Sequence, residues 1–588
     1  MRIVTGLAAS GKTSMLLREI AEKAEANRGR QILLVPELNS HQMERRLAAA
    51  THNHGARTAE VLTFSRLADR VFAVVGGLAQ QMLTPAGQLL TLQEAARRVQ
   101  VGLTAWSGLA DKPELLSETL ALIDECKSCM IEPETLFRAS EESALDEDAA
   151  LSTKLRDLAQ ILTQYDSLCG ETLPDPRDRL THLRDGLAES HVLDGTEVYL
   201  DGFLSYTPQE LAIIEVMLSS GVPLTAAVTC DVELPDVFVT GCRTLRTLTR
   251  MAERCSRRPE LVDLGAGKMP RPAGLAAVAN EALLPVRQAH EDASGVRLYE
   301  AASPFDECEH AAAYIRRKVR DEGAHYRDFV IAARDIGPYS ASLAMAMGRY
   351  DIPMFLADKP DLLSRPPMAL VIGALESVRS NFGCRELFGC LKTGLTGLAW
   401  DEIDRLENYA ITWKIHGAAW ERDWVEHPDG YGIPVDEAAQ AQLDELNELR
   451  ARAIAPFAAL RERLKGEQPS AECVRALYDF LLAVDVPRRM EERAAEHDAA
   501  GRLQLADEYR QLWEILVSAM EQFAWVRGDM PLTLDRFAQL FRLVLSGCSV
   551  GSIPVSLDRV SCGNIERICG ENVKYVILLG VNDGLIPK

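Results

Sequence analysis

No apolar run in the 588 residues approaches the roughly 20 that a bilayer-spanning helix needs. A glycine-bearing motif, rather than a secretory leader, is read at the N-terminus. The expectation is a cytoplasmic chain without membrane contact. Positive charge is also scarce: 64 Lys and Arg against 86 Asp and Glu leave a net charge of −22. That excludes a protein coated in nonspecific polyanion-binding surface, although a local basic groove remains compatible with it. Thirteen cysteines show no repeated spacing. Cys126 and Cys129 form the sole C-x-x-C pair, in a helical stretch with no second pair nearby, so a structural thiol pair is favoured over zinc or redox chemistry. Free thiols fit a reducing compartment.

The most informative stretch that is present is Gly6-Leu7-Ala8-Ala9-Ser10-Gly11-Lys12-Thr13, which fits the phosphate-cradling pattern G-x-x-x-x-G-K-[ST]. Its glycines permit a tight turn with successive N–H groups pointing inward at phosphate oxygens. Lys12 supplies a point charge for the β/γ-phosphates, and the Thr13 hydroxyl a Mg²⁺ ligand. The flanks suit the motif. Arg2-Ile3-Val4-Thr5 reads as a short strand, and Ser14 to Ala26 carries Leu16, Leu17, Ile20 and Ala24 at helical spacing. The expected nucleotide-binding set is Gly6, Ala8, Ala9, Ser10, Gly11, Lys12, Thr13 and Ser14, with ATP and Mg²⁺ as cofactors.

Strands at Gln31–Val35 and Glu60–Phe64 alternate with helices at His41–Ala50 and around Leu67–Phe72, which predicts a parallel α/β sheet. From Thr84 to Leu193 the period is helical. The sheet resumes at Glu197–Asp201, a helix from Pro208 to Leu218, and Leu224–Thr229. Leu264–Gly274 reads as a linker. A second α/β unit is expected from a strand at Val296–Tyr299, a helix at Phe305–Glu322, and strands at Phe329–Ala333, Ile352–Phe355 and Asn572–Gly580. The reading is therefore two parallel-sheet domains, each interrupted by helices: 1–83 plus 194–263, with 84–193 inserted; a linker at 264–290; and 291–364 plus 547–588, with 365–546 inserted. The core strand close to Lys588 suggests a piece of a longer parent. The tryptophans at 400, 413, 420 and 424 are read as helix packing rather than base stacking. Two basic clusters, Arg243 to Arg258 and Arg316 to Arg320, suit a solvated helix face and a phosphate track equally well.

P-loop hydrolases also need a strand-end carboxylate for Mg²⁺ and a group that activates water. Asp201, after Val198-Tyr199-Leu200, is the carboxylate of the right form. Its neighbour Gly202 has no side chain to act as base, and Glu210 and Glu215 lie a turn or more along the next helix.

Two interrupted α/β units resemble UvrD-like superfamily 1 DNA helicases, whose domains are RecA-like. Within them the chain resembles the AddB (RexB) family. The resemblance is carried in order by the P-loop, Leu34-Val35-Pro36-Glu37 with Gln42-Met43-Glu44, Leu62 to Leu67, Asp201-Gly202-Phe203 with Tyr206-Thr207-Pro208-Gln209, Leu406-Glu407-Asn408-Tyr409, and Gly580-Val581-Asn582-Asp583-Gly584 with Pro587. It implies a subunit of a heterodimeric ATP-dependent helicase/exonuclease that partners an AddA-like motor, acts on double- and single-stranded DNA in break repair and recombination, and takes part in reading hotspot (Chi) sequences. The family's nuclease region and its 4Fe-4S cluster are expected beyond Lys588, so no cysteine here is assigned to a cluster and no residue to DNA cleavage. The departures are specific. Only five residues precede Gly6, so no adenine-recognising glutamine motif is expected. Gly202 replaces the motor glutamate, and Cys562 to Arg567 does not match the coupling motif. A non-translocating scaffold that binds ATP and single-stranded DNA is therefore expected. The alternatives are an active superfamily 1 helicase and, less well supported, a P-loop kinase or transferase.

Overall fold

The computed structural model describes the chain apart from residues 53–57, 78–80, 146–147, 172, 266–270, 282–288, 357–361, 549–557, 567, 569–572 and 587–588. Parts of the expected linker (266–270 and 282–288), together with Arg567, Asn572 and Pro587, lie outside the described residues.

The first unit is built from β1 (Arg2–Gly6), α1 (Lys12–Glu25), β2 (Arg30–Leu34), α2 (Ser40–Ala50), β3 (Ala59–Leu62) and α3 (Phe64–Val75). Four helices follow: α4 (Pro85–Val99), α5 (Pro113–Ser128), α6 (Pro133–Leu145) and α7 (Ala149–Glu171). The unit then continues with α8 (Arg179–Glu189), β4 (Thr196–Leu200), α9 (Pro208–Ser219), β5 (Leu224–Thr229), α10 (Val239–Arg254) and β6 (Glu260–Asp263). The six strands form one parallel sheet in the order β3-β2-β4-β5-β1-β6. Because successive strand residues point to opposite faces, Ile3, Ile32, Leu34, Val198 and Leu200 pack beneath α3, α8, α9 and α10. Val4, Leu33, Val61 and Tyr199 pack beneath α1 and α2. Both faces are thus covered, which is why the strands read as continuous apolar runs. Phe64, expected to end a strand, instead opens α3: the Thr63 hydroxyl accepts from Arg66 N–H at 3.2 Å and caps the helix there.

After α11 (Ala273–Glu281) and α12 (Pro304–Glu322) come β7 (Phe329–Ala333), α13 (Ser340–Arg349) and β8 (Met354–Leu356). A long helical stretch runs through α14 (Pro366–Arg379), α15 (Cys384–Leu391), α16 (Trp400–Thr412) and α17 (Glu437–Arg463), then α18 (Ser470–Ala483), α19 (Val486–Ala499), α20 (Leu503–Arg527) and α21 (Leu534–Ser546). The short strands β9 (Gln468–Pro469) and β10 (Pro531–Leu532) pair antiparallel within it. The chain closes with β11 (Val560–Asn564) and β12 (Tyr575–Leu578), giving a second parallel sheet ordered β12-β7-β11-β8. The protein is therefore α/β, with two parallel sheets and a large helical content.

One strand reading needs correction, and one strand is not read from the sequence. Val296–Tyr299 is not a strand: all four residues are exposed and outside regular structure, and Tyr299 stacks on His310 of α12 with ring centroids 3.5 Å apart. No neighbouring strand among the described residues offers it a ladder, so propensity has nothing to act on. Conversely, β11 carries no strand signal of its own. Val560-Ser561-Cys562-Gly563-Asn564 lacks an apolar run, yet it becomes a central strand because β7 and β8 satisfy both of its edges.

Trp420 and Trp424 are buried, 5.4 Å apart, with Tyr409 stacked on Trp424 at 4.4 Å. They pack a core, while Trp400 is exposed.

The two helical stretches share their interiors. Ala86 and Leu90 of α4 lie in the core of the second stretch, and Leu543 of α21 lies in that of the first. At this junction Arg527 at the end of α20 is 2% exposed at its side chain and pairs with Glu94 of α4 at 2.9 Å, with Gln93 as a further acceptor. Burial pulls the guanidinium down to about 10, against the raising effect of Glu94, so it stays charged at neutral pH. Removing one member of such a pair strands a buried charge, whereas replacing both with apolar groups need not cost stability. Glu94 also pairs with Arg97 at 2.7 Å and Arg98 at 3.0 Å, so it is Glu94→Leu, which strands Arg527, that should lower unfolding stability by about 3–5 kcal/mol, and Glu94→Leu/Arg527→Met should recover most of that loss in denaturant titrations.

Candidate nucleotide-binding site

The parallel sheet brings the carboxyl ends of β1, β4, β5 and β6 to one edge, where open α/β sheets place ligands. β5 lies between β1 and β4, so the loop after β1 and the residue after β4 face each other across one strand width. Gly6 ends β1, and a Cβ there would sit 2.7 Å from the Ser10 hydroxyl oxygen, too close for any side chain. Ser10 N–H donates to Leu7 C=O at 3.2 Å and closes the turn. Ala9 (φ +61) and Gly11 (φ +94) are both left-handed, which alternates the backbone as in an anion-binding nest. Gly11 then serves as N-cap of α1, and its carbonyl accepts from Met15 N–H at 2.9 Å. Ala8, Gly11 and Ser14 are exposed, while Ser10 and Lys12 are buried.

Lys12 Nζ donates to the carbonyls of Gly6 (2.7 Å) and Leu7 (2.8 Å) and to the Ser10 hydroxyl (3.5 Å). Burial lowers its pKa, opposed by Asp201 and then Cys230. Asp201 is 4% exposed. Burial raises its carboxyl pKa, opposed by the adjacent Thr13 hydroxyl, the Gly202 backbone, Arg46 and Lys12. Its Oδ2 has no hydrogen-bond partner among the described residues. Lys12 and Thr13 thus form one group with a carboxylate far along the chain.

Gly202 has φ +82, and a Cβ on it would meet Asn39 Nδ2 at 2.9 Å and Pro36 Cδ at 3.3 Å. Glu210 does not approach the loop: its carboxylate accepts from Thr207 N–H at 2.8 Å while the Thr207 hydroxyl accepts from Glu210 N–H at 3.2 Å, a capping box at the start of α9. Glu215 pairs with Arg254 of α10 at 3.2 Å. Phe64 and Phe203 meet edge-to-face at 5.8 Å, and Phe203 stacks on Tyr206 at 4.9 Å. The stretches around Pro36, Thr63 and Asp201 are therefore one neighbourhood.

Three contributions escape the motif. Cys230, just past β5, lies beside Lys12, and burial pushes its thiol up to about 11. Arg46 on α2 acts on Asp201. Asp263 ends β6, accepting from the Thr5 hydroxyl (3.0 Å) and Gly265 N–H (3.1 Å); Leu264 N–H donates to Thr5 C=O (2.9 Å) and Gly265 C=O accepts from Leu7 N–H (3.1 Å), which staples this segment to the loop. The end of β5 is readable in sequence as a strand terminus, but its place beside the motif strand is not. Nothing local marks Arg46 or the Leu264–Gly265 staple. Among the described residues, no group of three or more His, Cys, Asp or Glu side chains gathers as a metal-ligand cluster, and no helix is long and apolar enough to cross a membrane.

Comparison with known proteins supports the resemblance. Residues 3–268 match the family model described as ADDB, N-terminal. Over the whole chain, the sequence is 30% identical to a protein of Acetivibrio thermocellus, 30% to one of Desulforamulus reducens and 29% to one of Clostridioides difficile. Each is named as the B-type subunit of an ATP-dependent helicase/deoxyribonuclease, and in each case the alignment takes in 100% of this chain and 52% of the relative. The chain is thus similar over its whole length to these AddB-type subunits, of whose length it spans about half.

Proposed function

We propose that this chain is the helicase-like portion of an AddB-type subunit, with a site that holds ATP and Mg²⁺ without driving translocation, in a complex with an AddA-like motor that processes double-strand DNA breaks for recombination. On this reading the two sheet units are RecA-like domains, the chain engages single-stranded DNA, and it contributes to hotspot (Chi) recognition. The nest between Gly6 and Gly11, the Lys12 ammonium and the orphaned Asp201 oxygen suit the ligand. Lys12 and the loop N–H groups would hold phosphate oxygens, and Thr13 and Asp201 the cation. Bound Mg²⁺ would offset phosphate charge, and it would supply counter-charge to the buried Asp201 carboxylate.

The observation that carries the non-motor reading is Gly202. A motor of this class needs a water-activating group beside the metal carboxylate. Here the adjoining position has a left-handed backbone with Asn39 and Pro36 against it, and Glu210 is committed to its helix cap. The Cys230 thiol, pushed up to about 11, is neutral at physiological pH and no base.

Lys12→Ala should weaken retention of labelled ATP about 10- to 100-fold, the value of one or two charge-assisted hydrogen bonds, while barely altering unwinding by the assembled complex. Equal retention would remove the loop from the site. DNA-stimulated hydrolysis at ~1 s⁻¹ or faster by the purified chain, abolished in Lys12→Ala, would establish the active-helicase alternative instead. Gly202→Glu should create no such turnover and should destabilise the chain by about 1–3 kcal/mol through backbone strain.

The raised Asp201 pKa sets a pH dependence. Only the ionised carboxylate ligates Mg²⁺, so cation-dependent nucleotide binding should fade on acidification above the ~4 of an ordinary aspartate. It should do so with proton release on binding, and Asp201→Asn should lose both effects in calorimetry run in two buffers.

A further inference from the structure

The arginines of α10 are not used by the nucleotide site, yet they are arranged more strictly than their sequence spacing shows. Arg243, Arg246, Arg250 and Arg254 follow steps of three, four and four residues. At 3.6 residues per turn these fall within about 80° of arc and extend along ~17 Å of helix axis. Arg257 follows just past the helix end. The opposite face, with Leu245, Leu248 and Met251, is buried against the first sheet.

All five arginines are exposed. The two at the C-terminal end are tied to α9: Arg254 pairs with Glu215 at 3.2 Å, and Arg257 Nε donates to Leu218 C=O at 3.3 Å. Arg243, Arg246 and Arg250 have no ion-pair or hydrogen-bond partner among the described residues. The free half lies toward the edge that holds the nucleotide loop, since Gly241 abuts Thr229 C=O at the end of β5 and the Thr244 hydroxyl donates to Leu204 C=O at 2.9 Å.

In a chain of net charge −22, three adjacent unpaired guanidinium groups repel one another, and helical packing does not require them. The geometry points to a track for a nucleic-acid phosphodiester backbone along the outer face of α10, read without base contacts. The composition of the face favours phosphate over an acidic protein. Protein interfaces that use Arg also carry aromatic anchors such as Trp and Tyr. This arc offers only Val239 in its first turn, with Thr240 and Thr247 beside the arginines and Glu253 bordering the tied half. Nucleic-acid interfaces are polar and strongly positive, and Arg forks match phosphate oxygens bidentately. No aromatic platform for stacked bases lies on the arc, so the contact is predicted to ignore sequence.

This inference rests on the DNA-engaging reading and names one surface for it. The test measures binding of labelled 30-nucleotide oligothymidylate and of a 30-base-pair duplex to the full chain across a salt series. It compares wild type with Arg243→Gln/Arg246→Gln/Arg250→Gln and with the triple Lys replacement, after circular dichroism confirms folding. For whichever probe seats on α10, the Gln triple should lose about 10-fold or more in affinity, and its log K against log salt slope should flatten by about 2. The Lys triple should keep the wild-type slope, and a mixed-sequence oligonucleotide should behave as oligothymidylate does. Tight wild-type binding with an unchanged slope in the Gln triple would overturn the track and leave the DNA-engaging reading intact. Absence of wild-type binding to either probe would overturn both. Displacement of the oligonucleotide by polyglutamate at equal charge, lost in the Gln triple, would overturn the track in favour of an acidic protein.

Discussion

The arrangement at the sheet's carboxyl edge depends on placing one strand, β5, between β1 and β4. That order sets the Gly6–Lys12 turn opposite Asp201 and encloses a lysine and a carboxylate in a covered sheet, with Thr13 between them. Charges held this way interact more strongly than in water and are costly unless compensated. Lys12 is compensated by the loop's own carbonyls. Asp201 is only partly so, and burial leaves it with an unsatisfied oxygen and an upward pKa shift.

The remainder of that edge is organised to hold backbone rather than to supply chemistry. Gly202 fits only because it lacks a side chain, Glu210 stabilises a helix start, and Cys230 is a buried neutral thiol. The aromatic trio Phe64, Phe203 and Tyr206 packs the loops together. On the proposed reading such an edge holds phosphate, while neither Glu210 nor Cys230 serves as a proton acceptor for attacking water.

Away from the sheet, the helical stretches behave as a joined body. α4 belongs to one and α20 and α21 to the other, yet their apolar faces interlock around a buried Arg527–Glu94 pair. The pair adds little net stability, since its desolvation offsets much of its attraction. The helical regions are thereby tied to each other as well as to the sheets that carry them.

Local sequence determined the elements whose signal is local. Continuous apolar runs marked β2, β5 and β7 because both faces of a covered parallel strand are buried. The 3.6-residue period marked α1 and α12, and the short stretch Gly6–Thr13 was enough to outline the loop. What only the tertiary structure decided is whatever depends on a distant partner. β11 is a strand because β7 and β8 accept it, Val296–Tyr299 is not because nothing described does, and Phe64 joins a helix because Thr63 caps it. Arg46, Cys230 and the Leu264–Gly265 staple reach the loop by chain crossing, which leaves no mark on their own neighbours in sequence. Nor does spacing alone tell whether a row of arginines is paired. The separation of Arg254 and Arg257, bound to α9, from Arg243, Arg246 and Arg250, bound to nothing described, exists only once α9 and α10 lie side by side.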